Sequence, residues 1–132
     1  KLSLLKMKLC SAMLSPKINY TEMTKLFIRL AGLSGASSVG MAAYGAHKMS
    51  SVDETRRRIF ENGNKLHMVH SVAMLACNKA RMPTITAALF AGGTAIFSGS
   101  CYASALTGDR ENGRFAPIGG TALIVAWLSC VL

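Results

Sequence analysis

The sequence predicts an all-α fold: an integral membrane four-helix bundle with a basic N-terminal extension and a short surface helix between helices one and two. Three observations support it. Four stretches, residues 26–46, 66–77, 84–106 and 115–132, are apolar and almost free of charge. The charged residues, 16% of the chain, lie almost entirely outside them. Small residues recur at four-residue spacing in two of the stretches, which is typical of helices that pack closely in lipid.

The chain divides into a basic N-terminal extension, residues 1–24, and a four-helix transmembrane domain, residues 25–132. Up to residue 19 the extension contains four lysines and no acid. Such a lead is typical of a mitochondrial transit segment or of what remains of one. The chain carries a formal net charge of +9. We expect its basic tail and loops to contact anionic lipid headgroups rather than nucleic acid, because no aromatic and basic face accompanies the charge.

The first apolar stretch, residues 26–46, has the length of a membrane span. Its 21 residues extend for roughly 30 Å as a helix, the thickness of the hydrocarbon core. Arg29 lies one turn inside the stretch and can reach outward to the headgroups. Gly32, Ala36 and Gly40 fall on one helix face, and we predict that this face packs against another helix.

The polar segment 47–65 predicts a short helix on the membrane surface. Ser51 and Glu54 form an S-x-x-E capping box, which favours a helix start. We place the helix over residues 52–61, and the Asn-Gly-Asn at residues 62–64 predicts its end or a kink. Its three consecutive arginines are expected to face the headgroups: Arg56, Arg57 and Arg58.

The second apolar stretch, residues 66–77, is too short to cross a bilayer alone, at about 18 Å. Either its helix extends back through Ile59 and Phe60, or other helices shield its polar ends. Polar side chains near one face should point into the bundle, because unpaired polar groups are unfavourable in lipid. We predict a buried polar cluster of four residues: His47, Asn64, His67 and His70.

Residues 84–106 are the clearest predicted span, with 23 residues and no charge. Pro83 suits the first turn of this helix. In the last stretch, residues 115–132, Trp127 fits an interfacial anchor. The glycine pairs at 92–93 and 119–120 have no following lysine, so they indicate packing positions rather than phosphate-binding loops. The third stretch also contains a second predicted packing stripe: Ala91, Ala95, Gly99 and Ala103.

No constellation of catalytic residues stands out. All six acids lie outside the clear spans, which argues against a proton or ion path. No serine or cysteine can be located beside a base. The three histidines could ligate a metal or haem, but no acidic or cysteine ligand is near them in sequence. We therefore predict a non-enzymatic protein with no catalytic, cofactor-binding or metal-binding residues and no cofactor beyond a bound phospholipid.

Several short blocks in the chain resemble the transmembrane protein 256 family, whose bacterial relatives are filed as a domain of unknown function. The likeness covers roughly residues 30–130. It is carried by the following blocks in order: AGLSGA at 31–36, AYGAH at 43–47, NK at 64–65, HSVAML at 70–75, FSGSCYA at 97–103, ALTG at 105–108, APIGG at 116–120 and AWL at 126–128.

This resemblance implies a compact four-helix membrane protein and, in animals, a mitochondrial inner-membrane setting. It implies no established activity. The matching positions include His47, Asn64 and His70, which we expect to form a polar contact between helices one and two. We predict an accessory or structural subunit of a mitochondrial inner-membrane, respiratory-chain assembly, with membrane lipids and other membrane-protein subunits as partners. The alternatives are a lipid- or quinone-binding module near His67 and His70, and a metal- or haem-binding protein.

Overall fold

The computed structural model describes residues 20–131, and in this part of the chain it forms four α-helices and no strand. Each helix packs mainly against the next one along the chain, while α1 and α3 contact each other little. The predicted all-α four-helix bundle is therefore confirmed. The helices are α1 Tyr20–Lys48, α2 Glu54–Ala76, α3 Pro83–Thr107 and α4 Ala116–Ser129, and 3₁₀ turns at Cys77–Lys79 and Arg110–Phe115 precede α3 and α4.

The N-terminal extension was predicted to end at residue 24, but α1 begins earlier, at Tyr20. Residues 1–19, with the four lysines of the predicted lead, lie outside the described residues. The acidic Glu22 falls in the first turn of α1, where its negative charge interacts favourably with the positive end of the helix dipole. Its carboxylate also pairs with the ammonium group of Lys25 at 2.8 Å. This first turn extends the helix before the apolar stretch starts.

The predicted surface helix and the second apolar stretch form one continuous helix, α2. The prediction of a separate helix over residues 52–61 was wrong. Asp53, not Ser51, caps α2, because its carboxylate accepts a hydrogen bond from the backbone N–H of Arg56 at 3.1 Å. The alternative that the helix extends back through Ile59 and Phe60 is confirmed. The 23 residues of α2 extend for about 35 Å.

Gly63 does not break α2, although its sequence context predicted an end or a kink. It is buried, and a Cβ built on it would lie 2.6 Å from the Cβ of Cys101 in α3. The hydroxyl of Ser98 donates to the Gly63 carbonyl at 2.9 Å. The glycine therefore lets α3 approach the backbone of α2, and packing between helices outweighs the low helix propensity of glycine.

The bundle buries several small polar side chains beside its apolar core, and it exposes large apolar side chains. Ser38, Thr86 and Ser98 are almost completely buried, whereas Leu33 is 72% and Ile124 61% exposed. Large apolar side chains are exposed on all four helices. In a water-soluble domain, side chains of this size would fill the core instead. The arrangement is that of a bundle whose surroundings are hydrocarbon.

Two described helical segments are long and apolar enough to cross a bilayer: Glu22–Lys48 in α1 and Pro83–Thr107 in α3. Helix α2 has the length of a span but carries charges in its first half. Helix α4 has 14 residues, about 21 Å, and is shorter than the hydrocarbon core.

Helices α3 and α4 cross at a pair of glycines. A Cβ built on Gly93 would lie 2.9 Å from Cγ of Leu123, and one built on Gly119 would lie 2.9 Å from the carbonyl oxygen of Gly93. The Gly119 position also touches the backbone of Phe97. One glycine of each pair is therefore a packing position, as predicted. The neighbouring Gly92 faces open space.

Most residues of the two predicted packing stripes face outward, although Ala91 packs against the apolar core. A Cβ built on Gly32, Gly40 or Gly99 would meet nothing within 4 Å among the described residues. Packing of these stripes therefore stays a prediction about a neighbour outside the described chain. The alanines of the stripes are exposed or half-buried: Ala36, Ala91, Ala95 and Ala103.

Replacing Gly119 with alanine is expected to lower the free energy of unfolding by about 1–3 kcal/mol, because the added Cβ would overlap the Phe97 backbone. The measurement is unfolding of the purified protein in mixed micelles, driven by a denaturing detergent and followed by circular dichroism. Gly92→Ala is the matched control. It should be neutral or stabilising by up to about 1 kcal/mol, because its Cβ meets nothing. Equal stability of the two variants would contradict the crossing.

Candidate functional site: a polar groove between α1 and α3

A chain of hydrogen bonds crosses the bundle between α1, α2 and α3. It starts at Asn64, whose Nδ2 donates to the backbone carbonyl of Ser38 at 2.7 Å and to Oη of Tyr102 at 3.1 Å. Oη of Tyr102 then lies 3.1 Å from Nδ1 of His67. One amide, one phenol and one imidazole thus join three helices inside the apolar bundle.

The chain continues from the other nitrogen of the imidazole. Nε2 of His67 lies 3.2 Å from Oγ of Ser34, which lies 2.6 Å from Oγ of Ser71. The hydroxyl of Ser71 donates to the backbone carbonyl of His67 at 2.7 Å. The last bond returns to α2, so the chain closes on the helix from which it began.

The backbone carbonyl of His67 fixes the proton directions from Ser71 back to Nε2 of His67. The Ser71 hydroxyl donates to a backbone carbonyl, so its oxygen accepts the bond from Ser34. Because the Ser34 hydroxyl proton is then engaged, Ser34 accepts from Nε2–H of His67. At the other end the amide of Asn64 donates to Tyr102, whose own hydroxyl is left to donate to Nδ1. This assignment follows from donor and acceptor inventory. In its neutral form His67 has both nitrogens engaged, and a metal at either one would displace a bond.

His70 is buried as predicted, but it faces α4 rather than α1. Its Nδ1 donates to the carbonyl of Leu66 at 2.6 Å, and its Nε2 accepts from the indole N–H of Trp127 at 3.2 Å. The ring of Phe90 lies edge-on to Trp127, with centroids 5.2 Å apart. The expected contact between helices one and two is therefore made by Asn64 and His67, and His70 joins α2 to α4.

His47 does not belong to the cluster. It is exposed at the end of α1, and its carbonyl accepts from the Ser50 hydroxyl at 3.3 Å. The α1 residue that meets Asn64 is Ser38, nine residues earlier and about 13 Å away along the helix axis. The sequence did not reveal which turn of α1 would face Asn64.

The cluster contains residues that the sequence analysis missed. Tyr102 offered a usable signal, because a tyrosine in a charge-free apolar stretch needs a partner for its hydroxyl. The serines offered little signal, because a helical serine can satisfy its hydroxyl on its own backbone, as Ser38 does on Gly35 at 2.7 Å. The missed members are Ser34, Ser38 and Tyr102, whereas Ser71 lies on the polar face of the second stretch that was expected to point into the bundle.

A lateral groove lies over His67, where α1 and α3 diverge and α2 forms the floor. Its volume is about 360 Å³, and none of its lining side chains is charged. Thr94 lines the groove and is 4% exposed, yet its hydroxyl has no hydrogen-bond partner. We call this feature the His67 groove. Its lining is Leu30, Ser34, Ser37, His67, Met74, Ala91, Thr94, Ala95, Ser98, Gly99 and Tyr102.

The three arginines expected to face headgroups divide into two kinds. Arg56 is half-buried and caps α3: its Nε donates to the carbonyl of Ala105 at 2.8 Å and its Nη2 to that of Leu106 at 2.9 Å. These carbonyls are at the end of α3, where helical partners run out. The prediction that Arg56 faces headgroups was wrong. The other two, Arg57 and Arg58, are exposed and pair with glutamates on α2.

Comparison with known proteins places this bundle in a family. Residues 41–120 match the family model described as protein of unknown function, DUF423. The chain belongs to this family. The matched range runs from within α1 into α4 and contains Asn64, His67 and Tyr102. The resemblance to a family with bacterial relatives of unknown function is confirmed. No solved structure gives a significant match.

Similar proteins include bacterial membrane proteins. The chain is 31% identical over 116 residues to UPF0382 membrane protein YwdK of Bacillus subtilis, covering 82% of this chain and 94% of the relative. It is 33% identical over 114 residues to a Staphylococcus epidermidis UPF0382 membrane protein, covering 82% and 93%. A Haemophilus influenzae relative is 30% identical over 115 residues, covering 81% and 91%. This DUF423 chain is accordingly a small membrane protein.

Replacing Tyr102 with phenylalanine should lower the free energy of unfolding in micelles by about 0.5–2 kcal/mol, because Asn64 loses an acceptor and His67 a donor. Tyr44→Phe is the matched control, since both tyrosine rings pack against Phe60 but Tyr44 is exposed. We expect no change for the control. A loss of the same size in both variants would argue that the phenol of Tyr102 contributes nothing specific.

Replacing Arg56 with alanine should lower the free energy of unfolding by about 1.5–3 kcal/mol, because two charge-assisted bonds to the end of α3 are lost. The control is Arg57→Ala, which removes a single exposed ion pair and should change stability by about 0.5 kcal/mol or less. The same micelle titration measures both. If Arg57→Ala were the more damaging change, the capping role of Arg56 would be excluded.

Proposed function

We propose that this protein is a non-enzymatic accessory or structural subunit of a larger membrane assembly, which it joins through the outer small-residue face of α1, formed by Gly32, Ala36 and Gly40. The observation that carries the proposal is that both glycines are open. Each lowers helix stability by about 1 kcal/mol relative to alanine. No neighbour in the described chain occupies the space beside these glycines. A helix from another subunit would use them for close backbone approach.

The position of α1 in the bundle supports this proposal. In an apolar segment of 18 residues within each helix, only 17% is buried within the chain in α1, compared with 39% in α3. Helix α1 packs on α2 and contacts α3 little. It therefore has most of its circumference available for a second neighbour.

The distribution of reactive groups supports a packing role rather than catalysis. The described acidic residues are all exposed, so no carboxylate is available inside the bundle for acid or base chemistry. Both nitrogens of His67 and Nε2 of His70 are engaged in bonds between helices, and Nδ1 of His70 is engaged within α2. This pattern is what a structural subunit requires.

The proposed setting is the mitochondrial inner membrane and, within it, a respiratory-chain assembly. Support for this finer assignment comes from the basic, acid-free lead at residues 1–19. Bacterial relatives have no mitochondria, so the same structural role in them would be performed in the cell membrane. Membrane lipids are further proposed partners. Arg57, Arg58 and Lys65 line a cavity of about 520 Å³ at one end of the bundle together with Glu61, so a phospholipid headgroup there would meet a net positive charge.

The test is native electrophoresis of mitochondria solubilised in a gentle detergent, with immunoblotting for the protein. We expect the wild-type chain to migrate in a complex much larger than its 14.0 kDa. The double variant Gly32→Leu and Gly40→Leu should migrate as the free subunit, because the leucines block close approach of a partner helix without touching the bundle.

Gly92→Leu is the matched control, an equally open glycine on α3, and it should leave the complex intact. Migration of the wild-type chain only as a free species would contradict the accessory-subunit role. Absence of the protein from purified mitochondria would contradict the location alone. Loss of the complex in the Gly92 variant as well would remove the assignment to α1.

A further inference from the structure

We propose that the His67 groove binds the head group of an isoprenoid quinone, a neutral ring carrying hydrogen-bonding carbonyl oxygens and an apolar tail. This inference concerns a different surface from the α1 face and does not depend on the proposed assembly. It is based on four features of the groove: an unpartnered hydroxyl, the absence of charge, the depth in the bundle and the shape of the wall formed by α3.

The unpartnered hydroxyl belongs to Thr94. Buried polar side-chain atoms nearly always have a partner, and among those the structure describes, Oγ1 of Thr94 alone has none. The other hydroxyls that line the groove are in use: Ser37 donates to the carbonyl of Ser34 at 2.8 Å and Ser98 to that of Gly63 at 2.9 Å. Thr94 is therefore the lining hydroxyl left for a ligand carbonyl; its Oγ1 is covered in this structure, so the side chain must turn toward the groove to donate. Its hydroxyl could equally accept a bond from the reduced, hydroxyl-bearing form of the ring.

The groove favours a neutral ligand. None of its lining side chains is an acid, a lysine or an arginine. In its neutral form His67 completes the hydrogen-bond chain, with its Nδ1 accepting and its Nε2 donating. A phosphate or carboxylate would enter an uncharged, apolar setting without a counter-charge, which is strongly unfavourable. A quinone head has polar oxygens and no charge.

The depth of Thr94 favours a quinone over a phospholipid. Thr94 is the twelfth of the 25 residues of α3, about 16 Å from the start of the helix. With a hydrocarbon core of about 30 Å, this position is near the bilayer midplane. The ester carbonyls of a phospholipid are attached to a headgroup in the interface. A carbonyl that reaches Thr94 must belong to a head group that itself dissolves in hydrocarbon.

The wall of the groove formed by α3 is flat and small. Ala91, Ala95 and Gly99 line it at four-residue intervals, and a Cβ built on Gly99 would meet nothing within 4 Å. A planar ring can lie against such a surface, with the phenol ring of Tyr102 beyond it. The volume of about 360 Å³ falls within the range of roughly 300–1,000 Å³ that is typical of small-molecule sites. The side open to lipid provides an exit for the tail.

The experiment measures binding of a benzoquinone with two isoprene units to the full-length protein in phosphatidylcholine nanodiscs. Quinone retained on captured discs is quantified against empty discs, which correct for partitioning into lipid. Thr94→Val keeps the shape but removes the hydroxyl, and it should weaken binding by about tenfold, as expected for one hydrogen bond. Gly99→Leu fills the groove and should abolish retention above empty discs. Gly92→Leu, on an open position outside the groove, should bind as wild type does.

A stability measurement separates ligand binding from damage to the fold. Without quinone, Thr94→Val should be at least as stable as wild type, because it removes a buried hydroxyl that makes no bond. Adding quinone should raise the melting temperature of wild type and Gly92→Leu more than that of Thr94→Val.

Three results would overturn the proposal. The first is equal retention by wild type, Gly99→Leu and empty discs. The second is unchanged affinity in Thr94→Val. The third is a co-purifying phospholipid that Gly99→Leu loses and that quinone does not displace, which would make the groove an ordinary lipid site. The leucine variants at Gly32 and Gly40 should bind quinone as wild type does, so failure of this proposal and failure of the proposed assembly are distinguishable.

Discussion

The structure depends on one constraint: a polar group in hydrocarbon must find its partner within the protein. The chain from Asn64 through Tyr102 and His67 to Ser34 and Ser71 satisfies this constraint by linking five polar side chains to one another. Because each member needs its neighbour at a fixed position, the chain sets the relative heights of α1, α2 and α3. Apolar contacts with lipid are the same at any height and cannot do this.

Close contact between helix backbones is the second source of stability in the bundle. Glycine is used inside the bundle at Gly63, Gly93 and Gly119, where an added Cβ would meet the neighbouring helix. Lipid gives helices no hydrophobic reason to associate, so such close contacts replace the large apolar core of a soluble domain. The end of α3 is stabilised by Arg56, which brings a charge to carbonyls that the helix itself leaves unpaired.

The two proposed functional surfaces share a physical basis. Each is a place where the chain leaves a requirement unmet: the open glycines on α1 lack a close neighbour, and Thr94 in the His67 groove lacks a hydrogen-bond partner. They lie on different helices and call for different partners, a helix in one case and a small neutral ring in the other. Buried polar groups elsewhere in the described bundle have partners, and this contrast makes the two positions informative.

The sequence by itself determined the four apolar segments of the bundle and a packing role for one glycine of each pair, because hydropathy and residue size are local properties. It also identified Asn64, His67 and His70 as inward-facing, since a polar residue in an apolar stretch must be buried. Only the tertiary structure decided that residues 54–76 form one helix, that His70 faces α4, that His47 is excluded and that Arg56 caps α3. These outcomes depend on which turn of one helix meets which turn of another, and no single segment contains that information.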